Sequence, residues 1–567
     1  MKILGLCHDV FICSACVVVD GVVVAAMAEE RLDRIKMSRV FPLKAIEKCL
    51  EIAGMTIEDI DEIAVAWNPG IEMETVLPGY LSGRVMRSEH MLQVPARLMQ
   101  IAGMPASQMF SLNNLWEKSP PITFIDHYMC HVGSAFYLSP FRDCAILILD
   151  GRGEKQTCLL ASGHGVSVEK LVETDFPHSL GLFYSAVTQF LGFKPDSDEW
   201  KVMALASYTS SDNEYLPKMR KLINVNDDGS LKLDLDYFEF YNFWKKNMYS
   251  GKVADVFGDP RIKDSKITLR HQKIAAALQR VFEESVTRIL TILHKRTKND
   301  RVALSGGCFM NSVYNGKILE LTPFKECFIS SCPDDSGTSI GAALYLETVR
   351  SGRRFGEYIP ANSWGEKFSE QQLAKVVKEY KLPNSKEVND PSKSAANDLK
   401  NGKLVGWFQG RSEFGQRALG NRSILADPRK KEMKDLINKA VKFRESFRPF
   451  APAILAERVS EYFECPDGTA VPFMEKVIDV RKEKRDEIPS VVHVDGSGRL
   501  QTVHAESSPR FHALIKEFEK LTGTPIVLNT SFNLNGEPIV NSPTDAIRTF
   551  FSCGLDILYL GNIRIEK

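Results

Sequence analysis

The sequence predicts an α/β protein made of two domains, the first of which contains a duplicated core. The chain has 567 residues, too many for one hydrophobic core, and its 44% hydrophobic and 25% charged residues are ordinary for a globular protein. Two β-rich segments, residues 1–30 and 144–174, each show a pattern of strand, turn and strand. Helical patterns lie between and after them, so the repeat indicates a duplicated α/β core.

Local patterns predict the individual elements of the first domain. Asp20-Gly21 joins two β-rich runs and indicates a hairpin. Residues 42–54 are amphipathic and end at a glycine, and residues 270–297 carry apolar side chains at three- and four-residue spacing, so both are predicted to be helices. The stretch RVALSGGCFMNSVYNGKI predicts a strand, a turn at Gly306-Gly307 and a helix. The later PDDSGTSIGAAL predicts an acidic glycine loop before another helix.

A polar stretch containing glycine and proline, residues 350–370, marks the predicted domain boundary. We therefore expect the first domain to cover residues 1–357 and the second to cover residues 365–567. The second domain opens with a helix-like segment followed by LVGWFQG. It ends with TPIVLN and ILYLGNIRI, which are both strand-like, so it is expected to be a separate α/β module.

Composition and the N-terminal residues argue against several classes of protein. The formal net charge is zero, which is not typical of a general nucleic-acid binder. No apolar run is long enough to span a bilayer, and His8 and Asp9 interrupt the short N-terminal run, so we expect neither a signal peptide nor a membrane span. The twelve cysteines are expected to be free thiols in a reducing, cytoplasmic compartment. For the CxxC pair Cys13 and Cys16, buried packing is favoured over redox or zinc chemistry.

Two histidines four residues apart, His127 and His131, would leave the same face of a helix and could meet one ion. The spacing alone favours simple packing, because two ligands are seldom enough for a metal. Two carboxylates could complete the set. Asp150 ends the apolar run CAILILD, and Asp335 lies in PDDSG directly before a helix.

Glycine turns in the same half of the chain favour nucleotide binding. The turns at Gly151-Arg152-Gly153, Gly306-Gly307 and Ser336-Gly337 allow a close backbone approach, and two of them precede helices, whose N-terminal amides favour anions. Each turn by itself is equally compatible with a tight connection. The sequence contains no GxxxxGK[ST] motif, so a P-loop protein is excluded.

Basic residues are dense in two C-terminal stretches, 410–429 and 442–455, where they alternate with phenylalanines. Guanidinium groups grip phosphate or carboxyl oxygens, and the aromatic neighbours favour burial, so anion binding is preferred over a solvated basic face. Ser531 and Asn533 follow the strand-like PIVLN and could contact a nucleotide, with turn chemistry as the alternative. The basic residues are Arg411, Arg417, Arg422, Arg429, Lys442, Arg444 and Arg448.

Several stretches together resemble one protein family over nearly the whole chain. They are AEER (28–31), DHYMCH (126–131), LDGRGE (149–154), SLGLFYS (179–185), KVMALA (201–206), SGGCFMN (305–311), DSGTSIGAAL (335–344), EFGQRALGNRSILADPR (413–429), KFRESFRPFAPAIL (442–455), VHVDGSGRLQTV (492–503) and LNTSFNLNGEPIV (528–540). The chain resembles the O-carbamoyltransferases of the nodulation-protein-U and cephalosporin-hydroxymethyl type, a family that includes the tobramycin carbamoyltransferase.

The resemblance implies two modules. The N-terminal half would be a Kae1-like domain, with the duplicated actin-like ATPase fold of the tRNA threonylcarbamoyl transferases. The C-terminal half would be a YrdC-like domain, whose K-x-R and S-x-N signatures match Lys442/Arg444 and Ser531/Asn533. The C-terminal domain would convert carbamoyl phosphate and ATP, the latter with Mg²⁺, into carbamoyl adenylate. The N-terminal domain would pass the carbamoyl group to a hydroxyl of a small molecule, either a natural product or a sugar.

The resemblance also implies roles for individual residues. His8 is a candidate base for the acceptor hydroxyl, with phosphate binding as the alternative, and Lys442 and Arg444 would act in adenylate formation. A divalent metal, with Fe²⁺ expected, would be held by His127, His131, Asp150 and Asp335. The residues expected to contact ATP or carbamoyl phosphate are Gly151, Gly153, Gly306, Gly307, Asn311, Arg417, Arg448, His493, Asn529, Ser531 and Asn533.

The sequence departs from the family pattern at Val10, Phe11, Met37 and Ala204 and beside the two histidines. These changes lie around the N-terminal site, so they leave the acceptor open. Neither a nucleic acid nor a membrane is expected as a partner. A homodimer is compatible with the sequence, which does not define the oligomeric state.

Two rival interpretations come from other classes of protein. A non-catalytic ATP-binding regulator of the actin or chaperone type would not need an arginine-rich second domain. A threonylcarbamoyl or protein carbamoyl transferase, as in hydrogenase maturation, is disfavoured because zinc-finger cysteine pairs and an acylphosphatase segment are missing from the sequence.

Overall fold

The structure is a computed structural model that describes residues 1–8, 12–74, 116, 119–242, 245–354, 361–382, 384–443 and 448–567. These residues form a mixed α/β fold, which confirms the predicted class. The chain divides into two units. Unit 1 comprises Met1–Val24 and Arg39–Tyr358, and unit 2 comprises Ala25–Ser38 and Ile359–Lys567. Unit 2 therefore includes a short segment from near the start of the chain, which no sequence pattern indicates.

Two larger sheets and one hairpin account for the described strands before residue 358. They are β1 Lys2–Cys7, β2 Ser14–Val19, β3 Val22–Ala28, β4 Glu62–Val65, β5 Ile122–Phe124, β6 Asp143–Leu149, β7 Gln156–His164, β8 Ser167–Asp175, β9 Ile223–Val225, β10 Leu231–Leu233, β11 Arg301–Ser305 and β12 Glu326–Ile329. The sheets have the orders β3-β2-β1-β4-β5 and β8-β7-β6-β11-β12. In each, the central strand pairs antiparallel with the next strand in sequence and parallel with a later one. The two sheets thus repeat one topology.

The repeated topology places chemically active residues at the ends of the central strands. His8 directly follows β1, and Asp150 directly follows β6. Ser305, the last residue of β11, pairs with Ile148 of the parallel strand β6. Because parallel strands end at the same edge of a sheet, the turn after Ser305 lies beside Asp150.

Helices alternate with these strands. They are α1 Glu30–Asp33, α2 Leu43–Ala53, α3 Pro69–Glu74, α4 His127–Val132, α5 Leu180–Phe190, α6 Glu199–Ala206, α7 Leu216–Arg220, α8 Gly251–Phe257, α9 Leu269–Thr297, α10 Ser312–Leu321, α11 Thr338–Ser351, α12 Glu370–Glu379, α13 Pro391–Lys400, α14 Met433–Ile437, α15 Val459–Tyr462, α16 Pro509–Thr522 and α17 Pro543–Phe551. The helix predicted over 270–297 is α9, which buries Ile274, Leu278 and Val281 in the main core of unit 1. Among the described helices, none has both the length and the apolarity needed to cross a bilayer.

Unit 2 is built on one mixed sheet. Its strands are β13 Ser385–Glu387, β14 Val405–Phe408, β15 Arg422–Ala426, β16 Ala451–Leu455, β17 Lys476–Asp479, β18 Ser497–Val503, β19 Ile526–Ser531, β20 Ile557–Leu560 and β21 Ile563–Glu566, in the order β13-β21-β20-β14-β15-β19-β16-β18-β17. Neighbouring residues of one strand face opposite sides. Trp407 and Leu425 join one hydrophobic core, whereas Phe408 and Ile424 join another, so the sheet is buried on both faces.

Candidate functional site

Helix α4 carries His127 and His131, and the carboxylate of Asp126 caps its N-terminus. Asp126 accepts hydrogen bonds from the backbone N–H groups of Tyr128 (2.8 Å) and Met129 (3.2 Å). This N-cap satisfies amides that have no partner inside the helix. The imidazoles of both histidines are fully buried.

A pair of glycines lets α4 pass close to α11. A Cβ atom on Gly133 would lie 2.1 Å from the carbonyl oxygen of Gly341, and a Cβ on Gly341 would lie 1.8 Å from the carbonyl oxygen of Cys130. No other residue fits at either position without moving a backbone. Because Asp335 lies three residues before the start of α11, this close crossing brings its carboxylate to the two histidines.

The four predicted metal ligands meet at one point. Single ligand atoms of His127, His131, Asp150 and Asp335 all lie within 4.8 Å of one another. The two Nε2 atoms are 3.2 Å apart. The Asp335 Oδ1 atom lies 3.4 Å and 3.6 Å from the Nε2 atoms of His127 and His131, and the Asp150 Oδ2 atom lies 3.7 Å and 3.9 Å from them. Metal–ligand bonds of about 2.1 Å in a tetrahedron would separate neighbouring ligands by about 3.4 Å, so the spacing suits one ion.

The other ring nitrogens of the histidines orient the imidazoles. The Nδ1 atom of His127 lies 3.2 Å from the carbonyl oxygen of Ala66, which can only accept, so Nδ1 carries the hydrogen of the neutral ring. The Nδ1 atom of His131 lies 3.0 Å from the hydroxyl of Ser305, which itself donates to the carbonyl of Pro333. Both Nε2 lone pairs are therefore directed at the centre, as metal-binding histidines require.

The charge balance of the cluster favours a cation. Burial opposes protonation of His127, but hydrogen bonds with Asp150 and Asp335 outweigh it and hold the pKa of His127 well above its ordinary value. Burial also disfavours the ionised form of Asp335, yet the two histidines hold the pKa of this carboxyl below its ordinary value. Without a metal, protons thus supply the positive charge that the two carboxylates need.

The carboxylate of Glu154 and two residues after β4 support His127. Glu154 is buried, and its Oε1 atom accepts from the backbone N–H groups of Asn68 (2.6 Å) and His127 (3.1 Å). Burial raises the pKa of Glu154 to about 7. The ring of Trp67 lies 5.3 Å from the His127 ring. Ala66 and Trp67, which follow β4, therefore contact the ring of His127, whereas Glu154, which follows β6, holds its backbone.

The predicted glycine turns have tight internal packing. Gly306 has φ 100°, and a Cβ there would lie 2.1 Å from the carbonyl oxygen of Leu149. The N–H of Gly307 donates to Asp150 Oδ1 at 2.7 Å, which leaves Oδ2 directed at the histidines. A Cβ on Gly153 would meet the ring of Tyr128 at 2.8 Å. A Cβ on Gly307 would lie 2.9 Å from Asp150 Oδ1, so all three glycines are required by their packing, whether or not a nucleotide binds.

The remaining predicted residues of unit 1 differ in their surroundings. A Cβ on Gly151 would meet only Leu182, at 3.9 Å, so this turn has room beside it. Asn311 caps α10 and exchanges two side-chain hydrogen bonds with Gln279. His8 is buried, with its ring 5.9 Å from that of Phe41, and burial lowers the pKa of His8 to about 4.

In unit 2, Lys442 meets the two residues of the predicted S-x-N signature. Lys442 ends a π-helical turn, Asn438–Lys442, and its side chain is buried. Its Nζ donates to the carbonyl oxygens of Ser531 (2.5 Å) and Asn533 (3.0 Å) and to Asn533 Oδ1 (2.8 Å). These neutral oxygens orient the ammonium. Arg444, the second residue of the K-x-R signature, lies outside the described residues.

Three of the basic residues in the two dense stretches serve the fold. Arg422 is fully buried, with its guanidinium 3.7 Å from the centre of the Phe408 ring, and it donates to the carbonyl oxygens of Gln409, Gly410 and Glu366. Burial lowers its pKa to about 10.

Arg429 and Arg411 also form contacts within their own part of the fold. Arg429 binds both carboxylate oxygens of Asp427, and Arg411 donates to the carbonyl oxygens of Trp364 and Gly365. The density of basic residues therefore overstates the number available to an anion. Arg417 and Arg448, which are half-buried, remain candidates.

Asn529 and His493 are held by polar neighbours. Asn529 is fully buried, and its Nδ2 atom donates to the carbonyl of Ala418 (3.1 Å) and to Gln501 Oε1 (2.7 Å). The Nδ1 atom of His493 lies 3.1 Å from the Ser497 hydroxyl, and burial lowers the pKa of His493 to about 4. Asn529 thus connects the loop that carries Arg417 to the central strands of unit 2.

Sequence reasoning did not single out several residues that shape these sites. Glu154 and Ser305 stood inside two of the family motifs, as the last residue of LDGRGE and the first of SGGCFMN, but were assigned no role. Gly341 also stood inside a family motif, DSGTSIGAAL, but neither it nor Gly133 was assigned a role, because a glycine in a helical pattern does not identify its partner. Only the three-dimensional crossing shows why neither can carry a side chain.

Comparisons with known proteins cover nearly all of the chain. Residues 2–344 match the family model described as the carbamoyltransferase N-terminus, and residues 396–567 match that of the carbamoyltransferase C-terminus. The two matches include the histidine–aspartate cluster and the Lys442 site, respectively.

Individual relatives extend over the same range. An uncharacterized protein of Synechocystis is 36% identical over 602 aligned residues, covering 100% of this chain and 96% of the relative. The nodulation protein NolNO of Sinorhizobium fredii is 36% identical, covering 98% of this chain and 78% of the relative. Among solved structures, component A of the (R)-2-hydroxyglutaryl-CoA dehydratase of Acidaminococcus fermentans covers 62% of this chain and 99% of that protein, with 12% identity and a TM-score of 0.32.

Proposed function

Because the chain belongs to the carbamoyltransferase family, we propose that it is an ATP-dependent O-carbamoyltransferase with separate sites for activation and transfer. Activation is assigned to a YrdC-like domain, residues 365–567, and transfer to a Kae1-like, actin-like domain, residues 1–357. The single observation that carries the proposal is the convergence of two imidazoles and two carboxylates in a chain of this family.

The activation step uses carbamoyl phosphate, water and ATP. Hydrolysis of carbamoyl phosphate gives carbamate and phosphate, and the carbamate oxygen then attacks the α-phosphorus of ATP, so that pyrophosphate leaves and carbamoyl adenylate forms. All of these reactants are anions. The oriented ammonium of Lys442, together with Arg444, Arg417 and Arg448, would offset the charge that builds up between them. Mg²⁺ would accompany ATP.

The transfer step moves the carbamoyl group to an alcohol. The acceptor oxygen attacks the carbamoyl carbon, its proton leaves to a base, and AMP departs, which gives an O-carbamate. We propose His8 as that base: its low pKa keeps the imidazole neutral at physiological pH, although the same low pKa makes it a weak base. Because the mixed anhydride is reactive toward water, both steps gain from sites that exclude solvent.

The donor set fits a divalent transition metal. Two imidazole nitrogens with their lone pairs directed inward and two carboxylate oxygens suit Fe²⁺ and related ions better than Ca²⁺ or Mg²⁺, which prefer oxygen alone. We propose Fe²⁺ at this site. When bound, the ion would act as a Lewis acid on the adenylate phosphate. Glu154, Ala66 and Ser305 would hold the histidines in the orientation that the ion needs.

The proposed acceptor is a hydroxyl of a small molecule, a natural product or a sugar. Nucleic acids and membranes are not proposed as partners. Family membership favours an enzyme over a non-catalytic ATP-binding regulator, and it gives no specific support to a threonylcarbamoyl or protein carbamoyl product.

The experiment uses the purified full chain with ATP, Mg²⁺ and carbamoyl phosphate. Pyrophosphate and phosphate should both appear, and neither should form if carbamoyl phosphate is omitted. A panel of hydroxylated metabolites is then added, and a mass increase of one carbamoyl group identifies the acceptor. Chain stripped of transition metal and returned to Mg²⁺ should still release pyrophosphate but should form no carbamate product until Fe²⁺ is restored. Folded, metal-loaded chain that releases no pyrophosphate would contradict the proposal.

A further inference from the structure

A short segment from near the start of the chain, Ala25–Ser38, is part of unit 2. It contains AEER, which carried part of the family resemblance but has no role in the sites described above. Glu29, Glu30 and Arg31 are only 3%, 6% and 4% exposed. Three consecutive charged residues are rarely buried unless they have specific partners. The charged residues of this segment are therefore expected to have specific polar partners.

Arg31 reaches the loop that carries Arg417. Its Nη2 atom donates to the carbonyl oxygen of Gly415 at 2.7 Å. The same loop, between β14 and β15, is stabilised by an internal carboxylate. The Oε1 atom of Glu413 accepts hydrogen bonds from the backbone N–H groups of Leu419 (2.8 Å) and Asn421 (2.7 Å). Arg31 and Glu413 thus hold the loop at either side of Arg417.

Arg34 reaches the loop that follows β19. Its two terminal nitrogens donate to the carbonyl oxygens of Ile539 (2.6 Å) and Pro538 (2.9 Å), and its Nε atom lies 3.5 Å from Asp545. A planar guanidinium is suited to bridging two adjacent carbonyls, and charge-assisted hydrogen bonds are stronger than neutral ones.

Internal hydrogen bonds make this loop a connected unit. Asn533 donates from Nδ2 to the carbonyl oxygen of Glu537 at 2.6 Å. The backbone N–H of Val540 donates to the carbonyl oxygen of Phe532 at 2.9 Å, which closes the loop at its base. The two carbonyls that Arg34 holds lie between Glu537 and Val540 in the chain, so a guanidinium bound there fixes the same loop that Asn533 spans.

The loop held by Arg34 is also the one that orients Lys442. Ser531 and Asn533 supply the oxygens that surround the Lys442 ammonium. A shift of the loop would therefore move these oxygens and the ammonium with them.

We infer that the Ala25–Ser38 segment positions the activation site, with Arg31 and Arg34 holding the two loops that carry Arg417 and Asn533. This inference rests on the proposed function, because the loops matter catalytically only if carbamoyl adenylate forms beside Lys442. Arg31 and Arg34 are positioning residues: they contact main-chain carbonyls, and they act on the substrate through the loops.

Positioning and simple packing lead to different outcomes when a guanidinium is removed. If the segment only stabilises the fold, the melting temperature falls but the turnover of folded protein stays unchanged. If the segment positions the loops, the turnover of folded protein falls as well, because a small misplacement of a catalytic group can cost a large factor in rate.

The experiment compares Arg34→Ala, Arg34→Lys and Arg31→Ala with the wild-type full chain, all loaded with metal. Lys36→Ala, at an exposed position of the same segment, is the matched control. Pyrophosphate release from ATP and carbamoyl phosphate gives kcat and KM well below the melting temperature of each variant. Melting curves and the metal content of the histidine–aspartate cluster are measured on the same samples.

We expect Arg34→Ala to lower kcat for pyrophosphate release about tenfold or more. Arg34→Lys should recover part of the loss, since an ammonium has no planar fork with which to bridge both carbonyls. Lys36→Ala should match the wild type, and metal content should not change in any variant. If Arg34→Ala does not fold, Arg34→Lys with Arg31→Ala decides the question.

Two results would overturn the inference, and they are distinguishable. If the wild type releases pyrophosphate and the folded Arg34 and Arg31 variants keep its kcat, the positioning role is ruled out and the proposed function is unaffected. A wild-type chain that releases no pyrophosphate removes both.

Discussion

The Nε2 atoms of His127 and His131 lie 3.2 Å apart, although the other nitrogen of each ring already faces an oxygen. Two lone pairs directed at each other and at two carboxylates cannot persist without positive charge between them. A proton can supply that charge in part, but a divalent cation satisfies all four groups at once. The first prediction follows from this arrangement.

Removing one ligand should separate the two half-reactions. We expect His127→Ala to lower the affinity for Fe²⁺ by about a hundredfold or more and to stop carbamoyl transfer, because loss of even a supporting residue typically costs about 10- to 100-fold. Pyrophosphate release should continue. Metal content by elemental analysis and product formation by mass spectrometry provide the measurements. His164→Ala, an exposed histidine on β7, is the control. Equal loss of pyrophosphate release in His127→Ala and Lys442→Ala would contradict two separate sites.

The second prediction concerns the ammonium beside the S-x-N signature. Lys442→Ala should reduce pyrophosphate release about a hundredfold or more, because an oriented charge is lost where anions react. Lys439→Ala removes an exposed lysine from the same π-helical turn and should leave the rate unchanged. Steady-state pyrophosphate assays on both variants test this. Similar rates for the two variants would show that Lys442 has no catalytic role.

The third prediction concerns the glycine crossing. Gly133→Ala should destabilise the protein by about 1–3 kcal/mol or more, because its Cβ would meet the carbonyl oxygen of Gly341 rather than a movable side chain. The shift of α4 should also weaken metal binding. Gly54→Ala is a useful comparison, since nothing lies within 4 Å of its Cβ and only its positive φ resists the change. Urea unfolding and metal titration distinguish the two; normal metal affinity in Gly133→Ala would argue against the crossing as the element that places Asp335.

The fourth prediction is a dependence of stability on pH. Burial lowers the pKa of His8 from 6.5 to about 4 in the folded state, so the unfolded chain binds a proton at higher pH than the folded chain does. The free energy of unfolding is therefore highest, as far as His8 is concerned, above pH 6.5. It decreases as the pH falls below 6.5, and this stabilising contribution is lost as the pH falls through about 4. The loss amounts to about 3 kcal/mol at most.

His8→Phe removes this titration. The free energy of unfolding of the variant, measured relative to the wild type in urea, should rise as the pH is lowered from about 7 to about 4. A difference that stays constant over this range would show that His8 titrates alike in both states. Because His8 is the proposed base of the transfer step, His8→Phe should also slow carbamoyl transfer, whereas pyrophosphate release should continue.

Local patterns were enough to anticipate much of unit 1. Helix α9 was predicted to within one residue at its start, because its apolar spacing is strict and long. The positions of the four candidate ligands made a shared site conceivable, because two share a helical turn and two lie at strand or helix ends, but the histidine spacing alone favoured packing and the family resemblance was needed to imply a metal. The structure brings these four together.

Features that depend on distant parts of the chain could not be anticipated in this way. The basic stretch 410–429 suggested anion binding, but Arg422 is buried against Phe408 and bound to carbonyls, because a guanidinium can be satisfied entirely by backbone oxygens. The partnership of Gly133 with Gly341 and the inclusion of Ala25–Ser38 in unit 2 join residues far apart in sequence. No spacing rule reports such contacts.

The path of the chain also has a consequence for biosynthesis. Ala25–Ser38 leaves the ribosome well before the loops that Arg31 and Arg34 hold, because those loops belong to Ile359–Lys567. At about 5–20 residues per second, the wait is on the order of tens of seconds. During that time the charged residues that are buried in the folded unit stay without the loop carbonyls that Arg31 and Arg34 bind.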